Sequence, residues 1–211
     1  MEQVIQFVVL AGALLVTLTV HEASHAMVAY YLGDPTAKIR GRLTLNPIKH
    51  LDPVGTILFI LTQRIGWGKP VPVDPRNFKN PVRDSAFTAL AGPMSNFIFA
   101  FFLGLLWRYV GEYMNVYLLL FVQMMFHVNI YLGVFNLFPF PPLDGSKILG
   151  LIVPKKYHSQ YANFLQKGMG YFVAIILLDV FILRDLLGWS VFGSAVGKLH
   201  DWIAMFMLLS T

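Results

Sequence analysis

The sequence predicts an all-α polytopic membrane protein, with about five to six transmembrane or membrane-embedded helices and a small membrane-associated β element between the first and third of them. Three observations carry this expectation. Hydrophobic residues make up 56% of the 211 and charged residues only 13%, at a mean hydropathy of +0.62, whereas an ordinary soluble domain is about a quarter charged. Several apolar runs approach the ~20 residues that cross a bilayer as a helix. One stretch, Lys38 to Leu45, instead alternates polar and apolar residues, which is the period of a strand with one wet face.

Taken in order, the first helix is expected from about Val4 to Leu32, closed by Gly33-Asp34-Pro35. It lacks the basic start and small-residue cleavage site of a secretory signal, so it reads as a retained helix. After the alternating stretch, His50-Leu51-Asp52-Pro53 reads as a turn, since a residue before proline avoids helical backbone. The apolar segment Val54 to Ile65 is too short to span comfortably. Pro70-Val71-Pro72-Val73 reads as extended chain. Ser85 to Tyr109 and Val116 to Phe138 are each long enough to span. Beyond Lys167 lie an irregular apolar region, Gly168 to Leu187, and a last segment, Trp189 to Leu209, that suits either a span or an interfacial helix. The whole chain, 1–211, is expected to be one membrane-embedded unit with its core motifs in 4–150 and C-terminal helices in 168–209.

Charge sets the expected orientation. Lys38, Arg40, Arg42 and Lys49 precede Val54 to Ile65, and Arg64, Lys69, Arg76, Lys79 and Arg83 follow it. The positive-inside rule puts both flanks in the cytoplasm, which makes Val54 to Ile65 re-entrant or interfacial and leaves the N-terminus outside. Lys147, Lys155, Lys156 and Lys167 fit the same inner side. The net charge of +5 then reflects cytoplasmic loops against anionic lipid headgroups rather than a nucleic-acid partner. The oligomeric state is not legible.

At the inner end of the first helix stands His21-Glu22-Ala23-Ser24-His25, about 26 Å along from Val4 and so near the cytoplasmic side of the hydrocarbon layer. Residues four apart share a helix face, so the two imidazoles can reach one metal ion, with Glu22 left as a candidate base. Polar residues in an apolar helix are costly unless paired or bound. The chain has no cysteine, so the remaining ligands must come from His, Asp or Glu. Candidates are His50, Asp52, His127, Asp144 and Asp179. Asp144 is the best placed, because Asn136-Leu137-Phe138-Pro139-Phe140-Pro141-Pro142-Leu143-Asp144-Gly145 breaks a spanning helix. Broken backbone at membrane depth must be buried in protein or line a cavity. Locally, that carboxylate serves equally well as a helix N-cap. His127 reads as a packing residue with a hydrogen bond, Asn96 and Asn129 as interhelical hydrogen-bonding groups, and Gly92-Pro93 as a site of close helix approach. Asp179, near Arg184 and Asp185, reads as a helix end more readily than as part of a wet pathway.

His21 to His25, Ala91-Gly92-Pro93-Met94-Ser95-Asn96 and Asn136 to Gly145 occur in that order, and with these motifs the chain resembles the site-2 protease family of intramembrane zinc metalloproteases, peptidase family M50. The resemblance runs from the first helix to Lys147. It implies one zinc ion per chain held by His21, His25 and Asp144, with Glu22 as catalytic base and Asn136, eight residues before Asp144, helping to hold the substrate carbonyl. It also implies transmembrane protein substrates and a multi-pass protein of a bacterial or archaeal plasma membrane, with the active site toward the cytoplasm. Relatives often carry a PDZ or CBS domain, and a compact member with neither is expected here. An edge at Ile39 to Leu45 would offer either a place for an unwound substrate to add as a strand or a plain membrane-surface hairpin. Two rival classes remain: a metal-ion transporter, which would spread ligand clusters across the bilayer, and a non-catalytic membrane scaffold, which would have no use for Glu22.

Overall fold

Three helices dominate the computed structural model, which describes residues 2–62, 66–183, 186 and 188–208. Helix α1 spans Glu2–Tyr31. Short α2 (Thr36–Ile39) and α3 (Pro53–Thr62) follow, then α4 (Pro81–Val110), α5 (Val116–Asn136) and the one-turn α6 (Asp144–Ile148). Helix α7 (His158–Leu177) passes into a π-helical turn, Leu178–Leu183, before α8 (Val191–Leu208).

Helices α1, α4 extended by the turn to Tyr113, and α5 are long and apolar enough to cross a membrane. They pack on one another around Ala13, Ala100, Leu103, Phe126 and Ile130, with Val196 and Ala204 of α8 closing the same cluster. The expected five to six spanning or embedded helices therefore reduce, among the described residues, to three that meet the length and apolarity of a span. Helix α7 opens on a polar stretch with Gln160, Asn163, Gln166 and Lys167, and α8 carries Lys198, His200 and Asp201. Helix α3, at 10 residues, is too short to cross. Of the segments expected there, Arg64, Ile65, Arg184, Asp185, Leu187 and Leu209 lie outside the described residues.

The β element between the first and third expected helices is not present as a strand among the described residues. Lys38 and Ile39 complete α2, and Gly41 reverses the chain with φ +65, in the left-handed region glycine favours. Arg42 turns inward and is buried, while Ile39 and Leu45 face out, 77% and 71% exposed. The alternation does not sort the apolar residues onto one buried face, as a half-buried strand would, because the apolar Ile39 and Leu45 are exposed and the charged Arg42 is buried. Arg42 Nη2 donates to the Lys69 carbonyl and to His50 Nδ1, whose Nε2 donates to the Thr44 carbonyl. One antiparallel bridge, Leu51 to Gly68, accompanies this bolt. The added-strand edge at Ile39 to Leu45 falls with the strand.

The chain from Lys69 to Asp74 is neither helix nor strand, and Asp74 itself has extended backbone. It is tied to the end of α1 through Asp34, which is fully buried. Asp34 accepts from the Thr36 backbone N–H (3.0 Å), the Thr36 hydroxyl (2.5 Å), Asn77 Nδ2 (2.7 Å) and the Asp74 N–H (2.8 Å). Burial raises the Asp34 pKa, but the donors from Thr36, Asp74 and Asn77 outweigh it and hold it below its ordinary value.

Candidate metal centre

Polar side chains of α1, α4, α5 and α6 meet at one end of the helical core. His21 and His25 stand one turn apart on α1, as the pentapeptide spacing requires, and both are buried. They can approach α4 closely because the facing residue is Gly92. A Cβ there would collide with His25 Nε2 and lie 2.6 Å from His21 Cε1. The next residue, Pro93, has no N–H to give to the helical ladder.

Asp144 opens α6 just after the proline-broken stretch. Its Oδ2 lies 3.2 Å from His21 Nε2 and 3.1 Å from His25 Nε2, so its carboxylate turns to the histidines. One ligand atom from each of the three residues fits within a 4.8 Å circle, and all three residues are buried. Lys147 brings its Nζ to 4.0 Å from Asp144 Oδ1.

Hydrogen bonds behind the cluster bear on what it can hold. His25 Nδ1 lies 2.7 Å from the Thr88 carbonyl, which only accepts, so Nδ1 carries a proton and the neutral ring keeps its lone pair on Nε2. His25 Nε2 faces His21 Nε2 at 3.0 Å and the Asp144 carboxylate at 3.1 Å. Groups crowded at this range are held together by a shared proton or by a metal cation. Two imidazoles and one carboxylate make up a common donor set of catalytic zinc, leaving a fourth position open. The residues present therefore fit such an ion.

Glu22 is half-buried, and its Oε2 accepts the backbone N–H of Val71 at 3.0 Å. It lines a cavity of about 470 Å³ together with His21, His25, Asn136 and Asp144, and Val71 and Tyr161 form part of the wall. Asn136 donates through Nδ2 to Leu132 O, one turn back on its own helix, at 3.0 Å.

The other polar candidates are placed elsewhere. His50 and Asp52 serve the loop, where Asp52 Oδ1 accepts the Gly55 N–H at 2.9 Å. His127 pairs with His200 at 2.9 Å, joining α5 to α8. Asp179 caps α8, accepting from Ser190 Oγ and the N–H groups of Val191 (2.8 Å) and Phe192 (3.2 Å). Asn96 Oδ1 lies 2.5 Å from His21 Nδ1, a contact that its reading as an interhelical group did not include. The Thr88 carbonyl and the Val71 N–H were invisible in the sequence, because every residue but proline carries such groups.

The family model for peptidase family M50 matches residues 106–178, a stretch that holds Asn136 and Asp144. The chain is 41% identical over 188 residues to "Putative zinc metalloprotease YwhC" of Bacillus subtilis, covering 86% of this chain and 84% of that one. It is 29% identical over 187 residues to "Putative zinc metalloprotease Rip2" of Mycobacterium tuberculosis, covering 87% and 70%. It is 28% identical over 178 residues to "Zinc metalloprotease MJ0392" of Methanocaldococcus jannaschii, covering 84% and 44%. No solved structure matches at the same level. Apolar spanning helices around a buried His-His-Asp cluster, in a chain with these relatives, define a membrane metalloprotease with zinc as its cofactor. The chain belongs to peptidase family M50, the site-2 proteases.

Proposed function

We propose that this protein is an intramembrane protease that hydrolyses peptide bonds in or near transmembrane segments of other membrane proteins. The observation that carries the reading is the opening of Glu22 and the His21, His25 and Asp144 cluster onto one cavity at the end of apolar helices. His21 Nε2, His25 Nε2 and one Asp144 oxygen would hold the zinc. When bound, zinc supplies a Lewis acid that polarises a carbonyl and lowers the pKa of water from 15.7 to about 7.

Glu22 acts as the base. The Val71 N–H holds Oε2, which leaves Oε1 to take the proton of the attacking water and return it to the leaving amine. Asn136 Nδ2 gives one hydrogen to Leu132 O and has a second to offer to the negative charge developing on the substrate carbonyl oxygen. A helical substrate must unwind before its peptide bond can reach these residues, because its carbonyls are engaged in its own hydrogen bonds.

The basic loops favour a cytoplasmic site and an outer N-terminus, with α3, α7 and α8 embedded at the interface or within the bilayer. A single cluster among the described residues favours hydrolysis over transport, which would need ligands at several depths. The test is cleavage of a single-span substrate by purified protein, comparing wild type with Glu22→Gln. Cleavage by wild type alone supports the proposal. Equal cleavage by both, or none by either with zinc bound, overturns it.

A further inference from the structure

Behind His21 runs a chain of buried polar side chains across three helices. His21 Nδ1 meets Asn96 Oδ1 of α4 at 2.5 Å, and Asn96 Nδ2 donates to Asn129 Oδ1 of α5 at 2.9 Å. Asn129 Nδ2 in turn donates to Thr17 Oγ1 of α1 at 2.9 Å and to the Met125 carbonyl at 2.8 Å. Asn96, Asn129 and Thr17 are all fully buried.

We infer that Asn129 is a positioning residue for the metal centre: through Asn96 it fixes which nitrogen of His21 carries the proton. The inference rests on the reading of His21 as a zinc ligand. Its logic is directional. The Met125 carbonyl can only accept, so the Asn129 side chain must turn its NH₂ toward it and its oxygen toward Asn96. Asn96 must then give its own NH₂ to that oxygen, which turns Asn96 Oδ1 to His21. An oxygen at that position accepts, so the proton sits on His21 Nδ1 and Nε2 keeps its lone pair for the metal. With the far end cut, Asn96 can rotate by half a turn and present N–H to His21 Nδ1. The imidazole would then carry its proton on Nε2, where it cannot bind a metal.

His25 needs no such chain, since the Thr88 carbonyl orients it directly. Beside His21 the nearest partner is an amide that can face either way, and a second amide anchored on a carbonyl removes the choice. A simple gluing role for these asparagines would be weak, as interhelical hydrogen bonds in a membrane are, and would not depend on which end of each amide faces the histidine.

The test is the rate of zinc loss to a chelator from purified protein, in a double-mutant cycle of Asn129→Leu and Asn96→Asp, with thermal stability measured alongside. Asn129→Leu is expected to speed zinc loss roughly 10- to 100-fold, the range for outer-shell partners. Asp at 96 can only accept from His21, while its other oxygen meets Asn129 Oδ1 with no proton between them, so in the Asn96→Asp background Asn129→Leu should add less than about threefold or slow the loss. Should Asn129→Leu fail to fold, Asn129→Ser can still bond to Met125 O but is too short to reach Asn96, and should release zinc as fast. Wild-type zinc retention in the folded Asn129 variants overturns the inference, as does an equal loss in both backgrounds, which a packing role predicts. His21→Ala separates the two readings. If it keeps its zinc, the ligand assignment itself fails. If it loses zinc while the Asn129 variants do not, only the relay fails.

Discussion

His21 and Glu22 are neighbours in sequence, yet they are secured by different parts of the molecule. His21, His25 and Asp144 are buried among helices, and the two imidazoles are held from behind by Asn96 and the Thr88 carbonyl of α4. Glu22 is half-buried and is held by one backbone N–H from the loop after α3, a segment fastened to the end of α1 through Asp34 and to the turn at Arg42. A ligand cluster must keep its geometry against strong repulsion between acceptors, which a packed helical core can resist. A base must move a proton and remain near the cavity, where a loop suffices. The metal half and the base half should therefore fail separately.

The largest effect is expected from His25→Ala or Asp144→Ala. Each removes one of the three proposed ligands, so bound zinc should fall from about one per chain to near zero and cleavage should disappear, as metal analysis and a substrate assay would show together. Full zinc occupancy in either variant would contradict the assignment of the metal half. Next in size is Glu22→Gln, which should lower cleavage about 10²- to 10⁴-fold while leaving zinc content at the wild-type level. Gly92→Ala tests the packing of the metal half, because the added methyl group meets both imidazoles. Overpacking of about 1–3 kcal/mol should appear as lower thermal stability and faster zinc release, and an unchanged melting temperature would count against so tight an approach.

Asp34→Ala addresses the base half alone. It leaves the donors of Thr36, Asp74 and Asn77 without their acceptor, at about 1–3 kcal/mol of local stability. Cleavage should drop several-fold and protease nicking between Lys69 and Asn77 should increase, with zinc content unaffected. The smallest effect is on pH dependence. A carboxyl group whose pKa is lower in the folded than in the unfolded chain adds stability above the ordinary value of 3.8 and loses it as pH falls through the folded value. Asp74 reaches about 2 through its hydrogen bonds and ion pair with Arg76, and Asp34 is lowered as well. The loop should thus be equally protected from acid-active protease at pH 7 and pH 5 and lose protection only below about pH 4. Loss of protection already near pH 6 would point to some other group.

Much of the clustering of His21 and His25 with Asp144 was legible in the sequence, for a geometric reason. The spacing of His21 and His25 puts both on one helix face, and helix period is a local property. The proline-broken stretch marked Asp144 as a residue at membrane depth with a reason to be there, although only folding turned its carboxylate to the histidines rather than to a cap. The loop was misread at Lys38 to Leu45, because alternation signals a strand only where one face must meet water. Asn96 and Asn129 were recognised as interhelical groups, and nothing local could show that one of them touches His21 from 75 residues away.

By itself, then, the sequence determined the membrane class, three long apolar helices among the five to six it led one to expect, and the residue types of a candidate metal site, since apolar length, helical period and chain breaks are set by neighbours along the chain. The tertiary structure decided what Asp144 faces, how Glu22 is held, and which way the amides behind His21 point. Each of these depends on backbone carbonyls and N–H groups that every sequence carries and only folding brings to a particular place.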